Sequence, residues 1–157
     1  SGRRWRDEGA HEVPVIKKIL EAIADGGYPE AVGRLAALMS TTGVPLPLAG
    51  VAARHDFALQ NRDLMPAEMD LADLRRIEGR QEIIVRHAFQ RALDLLPALV
   101  PQPADRDRLV RLIDRACAHR GEAGLWLNDE QRALLERVRL TLLHVHPRPR
   151  AAHAAVT

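Results

Sequence analysis

The side chains best suited to chemistry stand in two adjacent pairs, His55-Asp56 and Arg80-Gln81. A histidine titrates near neutral pH, so beside a carboxylate it can act as a general base. His55, however, falls on the same helical stripe as Leu48, Val51, Ala52 and Leu59, which equally suits a buried, hydrogen-bonded histidine. Gln81 occupies a position where the stripe of its own segment expects an apolar residue. An inward amide must find a partner, so Gln81 either bridges helices or, with His55, Asp56 and Arg80, lines an inter-helix cleft that takes a small ligand or substrate.

Acidic residues gather at two helix junctions: Asp25 and Glu30 at one, Glu122, Asp129 and Glu130 at the other. Oxygen-rich turns can hold a hard divalent cation, although such ions want about six oxygen ligands and each turn offers fewer. Acids at helix starts also have a purely structural use against the positive end of the helix dipole. His144 and His146 are two apart, pointing about 200° from one another on a helix, a poor chelating geometry. The nucleophiles are few. Ser40, Thr41 and Thr42 fall at a helix end, where hydroxyls satisfy backbone groups, and Cys117 lies on or beside an apolar face. The sequence carries no Gly-x-Ser-x-Gly elbow, phosphate-binding glycine loop, His-Glu-x-x-His or paired-cysteine zinc spacing.

The elements that would position these residues are helical almost throughout, with prolines and glycines between them. Ile16, Ile19, Leu20 and Ile23 recur at i, i+3, i+4 and i+7, and Asp25-Gly26-Gly27 ends that segment. Pro29 suits the first turn of a second helix with the stripe Val32, Leu35, Ala36 and Met39; Gly33 inside it marks a close helix approach. After Gly43, Pro45 and Pro47 comes a third helix, and after a turn from Asn61 to Asp70 a long stretch from Leu71 to Leu96, capped by Asp70 or a neighbour and interrupted at Gly79–Gln81. Gly79 is read as a second approach point. Pro97 ends this stretch, Pro103 opens another helix, and Asn128 with Gln131 forms a capping-box pattern before the last one. The expected fold is all-α, a bundle of about six or seven helices with no convincing strand. Residues 13–146 form its single domain between flexible tails at 1–12 and 147–157.

The 157 residues are 46% hydrophobic and 3% aromatic, enough aliphatic material for a core but too few rings for a base-stacking platform. Basic and acidic residues number 23 and 21 and are interleaved, so there is no positive stripe of the kind nucleic acids require. One cysteine excludes an internal disulfide, and no apolar run reaches the length of a membrane span. The expectation is a cytoplasmic bacterial protein or domain.

Two runs then look familiar together. Gly27-Tyr28-Pro29-Glu30-Ala31-Val32 through Leu38, and Gly79-Arg80-Gln81-Glu82-Ile83-Ile84 leading to Ala92-Leu93-Asp94-Leu95-Leu96-Pro97-Ala98-Leu99-Val100-Pro101, resemble the helical C-terminal region of bacterial proteins that carry a polyhydroxyalkanoate-synthase-like α/β-hydrolase domain. That region is similar to the tellurite-resistance TerB-like helical fold, whose turn before an acid- and leucine-rich helix is matched by Gly121–Asn128 and Asp129-Glu130-Gln131-Arg132-Ala133-Leu134-Leu135. The resemblance implies a hydrolase nucleophile outside this chain and metal ligation by acids at the positions of Asp25, Glu30, Asp129 and Glu130. The sequence departs from the TerB pattern in its arginine content and in Gly26-Gly27-Tyr28. The first expectation is therefore a non-catalytic accessory or assembly module that meets a protein partner, such as a polymer-synthase-like hydrolase domain, or a second copy through an apolar helix face. No cofactor is expected. A divalent-cation-binding stress domain, with a cation as the candidate ligand, and a ligand-binding or enzymatic cleft are the alternatives.

Overall fold

Helix starts in this chain are set by local capping chemistry. In the computed structural model, which describes residues 14–41, 56–67, 70–121, 124–125 and 127–144, α1 covers residues 14–21 and α2 runs Tyr28–Thr41. Between them Gly26 has φ +137°, a left-handed conformation that L side chains rarely adopt. A Cβ there would also come within 2.6 Å of Glu30 Cγ. Glu30 Oε2 accepts the Gly27 N–H at 2.7 Å, so this acid closes the turn and starts the helix.

The rest of the chain follows the same logic. α3 covers residues 56–60, and α4 runs Leu71–His87 with Asp70 as N-cap, its carboxylate accepting the Asp73 N–H at 2.8 Å. α5 is Phe89–Asp94, followed by a 3₁₀ turn at Leu96–Leu99 containing Pro97. α6 runs Pro103–Ala118 with its proline in the first turn. A two-residue antiparallel pair, β1 (Arg120–Gly121) and β2 (Gly124–Leu125), leads into α7 at Asp129–Leu143. The expected capping box forms, with Asn128 Oδ1 accepting from Gln131 N at 2.8 Å and Gln131 Oε1 from Asn128 N at 3.0 Å. The protein is an all-α bundle, seven α-helices among the described residues, with that small β pair as its one departure. Positions 1–12, 13, 146 and 147–157, where the domain limits and tails were placed, lie outside the described residues.

α2 is the central element. Tyr28, Ala31, Leu35, Ala37 and Leu38 are all buried, and the helix packs most extensively on α4 while also touching α5, the 3₁₀ turn and α6. The core continues through Ile84 and Val85, Leu96 and Leu99, Leu109 and Ile113, and Leu135 and Val138. Among the described residues no helix is long and apolar enough to cross a membrane.

The long fourth segment differs from expectation. It is unbroken through Gly79–Gln81 and breaks instead at Ala88, where φ −147° and ψ 56° leave the helical region. The hydrogen bonds of that region survive on either side, from Ala88 N to Ile84 O and from Ala92 N to Ala88 O, both 2.8 Å. The chain therefore bends rather than frays, and Ala92, Leu93 and Leu96 all reach the core.

The two helical glycines behave oppositely. A Cβ on Gly33 would lie 3.0 Å from Ile77 Cγ2 and 3.4 Å from Gln81 Cγ, so this is the close approach of α2 to α4. A Cβ on Gly79 would meet nothing within 4 Å, so Gly79 is no approach point. Gly79→Ala is accordingly expected to stabilise the fold by about 0.5–1 kcal/mol in urea unfolding, the ordinary helix-propensity gain. Gly33→Leu, overpacked against Ile77, should lose about 1–3 kcal/mol. Equal effects at the two positions would contradict the packing described.

Candidate functional site

The contact between α2 and α4 centres on a residue that the sequence pattern does not single out. Arg34, on α2, is 0% exposed. Its Nε donates to Gln81 Oε1 on α4 at 2.8 Å, Nη1 to the Ala92 carbonyl of α5 at 3.4 Å, and Nη2 to the Ile23 carbonyl beyond α1 at 2.5 Å. Burial lowers the guanidinium to about 10, which leaves it cationic at neutral pH. Gln81, 4% exposed, is thus the helix bridge. The planar fork of arginine is what allows one side chain to hold three elements at once.

The other described candidate residues each have their own surroundings. Arg80, next to Gln81, is exposed. Asp56 is exposed at the start of the described part of α3, where Oδ2 accepts from Gln60 Nε2 at 3.1 Å and lies 3.7 Å from Nε2 of His119, the residue that ends α6. The His119 ring packs edge-on to Phe57, with centroids 5.3 Å apart. The adjacency of His55 and Asp56 in the chain concealed this pairing, and His55 lies outside the described residues. Asp25, Asp129 and Glu130 are exposed, and Glu30 caps Gly27. Among the described residues no group of three or more His, Cys, Asp or Glu side chains is placed to hold a metal ion. Cys117 is half-buried, and burial pushes its thiol up, away from the thiolate a nucleophile needs. His144 is exposed at the end of α7; His146 lies outside the described residues.

The turn between α3 and α4 is held against α6 by arginines. Arg108 donates to the carbonyls of Asp63 and Met65 at 3.3 and 3.0 Å and lies 4.3 Å over the Tyr28 ring, while Tyr28 Oη donates to the Leu64 carbonyl. Arg115 reaches Asn61 Oδ1 and both Asp63 carboxylate oxygens at 3.1–3.2 Å.

This bracing leaves an apolar cavity of about 140 Å³, partly open to solvent, on the opposite side of α2. Val32, Leu35, Ala36 and Met39 form its α2 wall, and Phe57 and Ala58 come from α3. Met65, Leu112 and Ala116 line it from the turn and α6, Glu78 borders it from α4, and Leu127, Gln131 and Leu135 close it. Its polar groups are engaged in structure. Gln131 Nε2 donates to the Met39 carbonyl at 3.2 Å in addition to the capping-box bond of its oxygen, and the Ser40 hydroxyl donates to Ala36 O at 2.9 Å. No family model, curated protein or solved structure matches this chain. The cavity is therefore read on its own chemistry. Of its residues, Val32, Leu35, Ala36 and Met39 were legible only as a helical stripe, because a void is a property of how stripes meet.

Two measurements follow from these contacts. Arg34→Ala strands Gln81 and two carbonyls, so we expect a loss of about 3 kcal/mol or more in urea unfolding, and of about 1–3 kcal/mol for Gln81→Ala. The double variant should fall short of the sum by about 1 kcal/mol, since the two share a bond; strict additivity would rule that bond out.

Tyr28, the single tyrosine, is pushed from 10.0 up to about 12, chiefly by burial, with Arg108 opposing. The folded state holds this proton more tightly than the unfolded chain, so the contribution is whole below pH 10 and is lost as pH rises through 12. Phenolate absorbance should stay low at pH 10 and rise near 12 or with unfolding, whichever comes first; a folded chain half-ionised at pH 10 would contradict this.

Proposed function

We propose that this chain is a non-catalytic helical accessory module whose working element is the cavity between α2, α3, α4, α6 and α7, where it receives an apolar group. One observation carries the reading: about 140 Å³ of largely hydrocarbon-lined space sits beside a rigidly braced helix, with the Gln131 amide, the Ser40 hydroxyl and the Glu78 carboxylate already engaged by their own chain. Such a site offers shape and apolar surface rather than reacting atoms. The sequence resemblance supports a polymer-synthase-like hydrolase domain as the partner that such a module serves.

Binding to the folded state raises the melting temperature by mass action. With 1-hexanol present, the wild-type chain should melt about 2–4 °C higher for each kcal/mol of binding. The Ala36→Leu variant, whose added side chain fills the cavity, should gain far less. Identical shifts in both would remove the cavity from the argument. In a parallel arm, light scattering of the chain mixed with a polymer-synthase-like hydrolase domain should show a complex, and two unassociated species would remove that partner.

A further inference from the structure

The lining has a direction. On α2 it is built by Val32, Leu35, Ala36, Met39 and Ser40, at i, i+3, i+4, i+7 and i+8. At 1.5 Å per residue these positions extend about 12 Å along the helix. Treated as a slot of that length, about 140 Å³ suits a narrow chain better than a broad rigid disc. If a methylene takes about the 30 Å³ of a water molecule, the slot holds about five of them. Met39 and Met65, unbranched and polarizable, can adjust to a flexible chain lying between them. The one charged lining group is the carboxylate of Glu78 on α4, already engaged within the fold, and there is no arginine, lysine or histidine, so an anionic headgroup drawn inside would meet a like charge and no countercharge.

Resting on the binding reading above, the geometry points to a ligand that is a short unbranched alkyl chain of about five or six carbons with an uncharged head. The chain lies along α2 and its head stays at the open side of the cavity. Recognition comes from length and apolarity, and the braced face of α2 keeps the slot from collapsing when it is empty.

The test uses the full chain labelled with ¹³C at its methionine methyls, titrated with the linear 1-alkanols from butanol to octanol, with benzene and with hexanoate. The Met39 and Met65 signals are expected to shift, and affinity should rise about fourfold for each added methylene. That rise should level off near hexanol, where the slot is full. Hexanoate should bind at least tenfold more weakly than 1-hexanol. Ala36→Leu and Ala58→Leu, each checked for folding by circular dichroism, should weaken hexanol binding at least tenfold; the two positions lie on different helices, so failure of one variant to fold leaves the other. Benzene binding as tightly as hexanol, or affinity independent of chain length while the methionine signals still move, would overturn the alkyl assignment and leave the cavity as a binding site. Methionine signals unmoved by every compound would overturn both.

Discussion

Everything in this fold leans on a positive charge placed where no charge is expected. Arg34 is fully buried, and the described residues give it uncharged acceptors: an amide oxygen on α4 and backbone carbonyls on either side. Removing an ion from water costs several kcal/mol, and hydrogen bonds to neutral oxygens recover only part of it. What the arrangement secures is position. The Ile23 and Ala92 carbonyls belong to a turn after α1 and to the short α5 beyond the bend, places where regular helix bonding leaves acceptors available. A guanidinium bonded to both ends fixes how α1, α4 and α5 sit around α2.

The same requirement explains the neighbours of Arg34. Gln81 must be polar because an apolar residue there would leave the Nε of Arg34 without its acceptor. Gly33 must be small because the amide can reach only if the two helix backbones come close, and Ile77 already fills the space a side chain would need. Glycine, arginine and glutamine thus form one device spread over two helices. At the other side of the bundle, α6 supplies Arg108 and Arg115 to hold the turn at 61–65, so Phe57 and Met65 reach the core and the cavity wall from a segment with little regular structure.

How much of this the sequence disclosed depends on whether the signal was local. Asp70, Asn128 with Gln131, Pro29 and Pro103 act through hydrogen bonds or excluded donors within one turn, and each starts a helix where expected. Gly33 was readable for the same reason Gly79 was misread: a helical glycine signals either contact or nothing, and only the partner helix decides. Arg34 was invisible because charged residues are normally exposed and its partners lie far along the chain. The bend at Ala88 has no proline or glycine to announce it; the geometry of α4 and α5 around Arg34 accompanies it. The histidine that meets Asp56 is His119, brought there by packing rather than by adjacency.

Bracing and void are physically connected. An unfilled apolar space costs roughly 24 cal/mol per Å³, so a closed void of about 140 Å³ would forfeit about 3 kcal/mol, and a partly open one less. Aliphatic cores ordinarily relieve such a deficit by letting neighbouring helices settle inward. Here the helix that forms one wall is tied on its far face to three other elements, and the end of that helix is tied to α7 through Gln131 and Met39. Settling inward would stretch those bonds, and a buried cation pulled away from its acceptors is more costly than the void. The polar cluster on one side of α2 thereby keeps the apolar space on the other side open, and whatever fills that space recovers stability that the empty fold gives up.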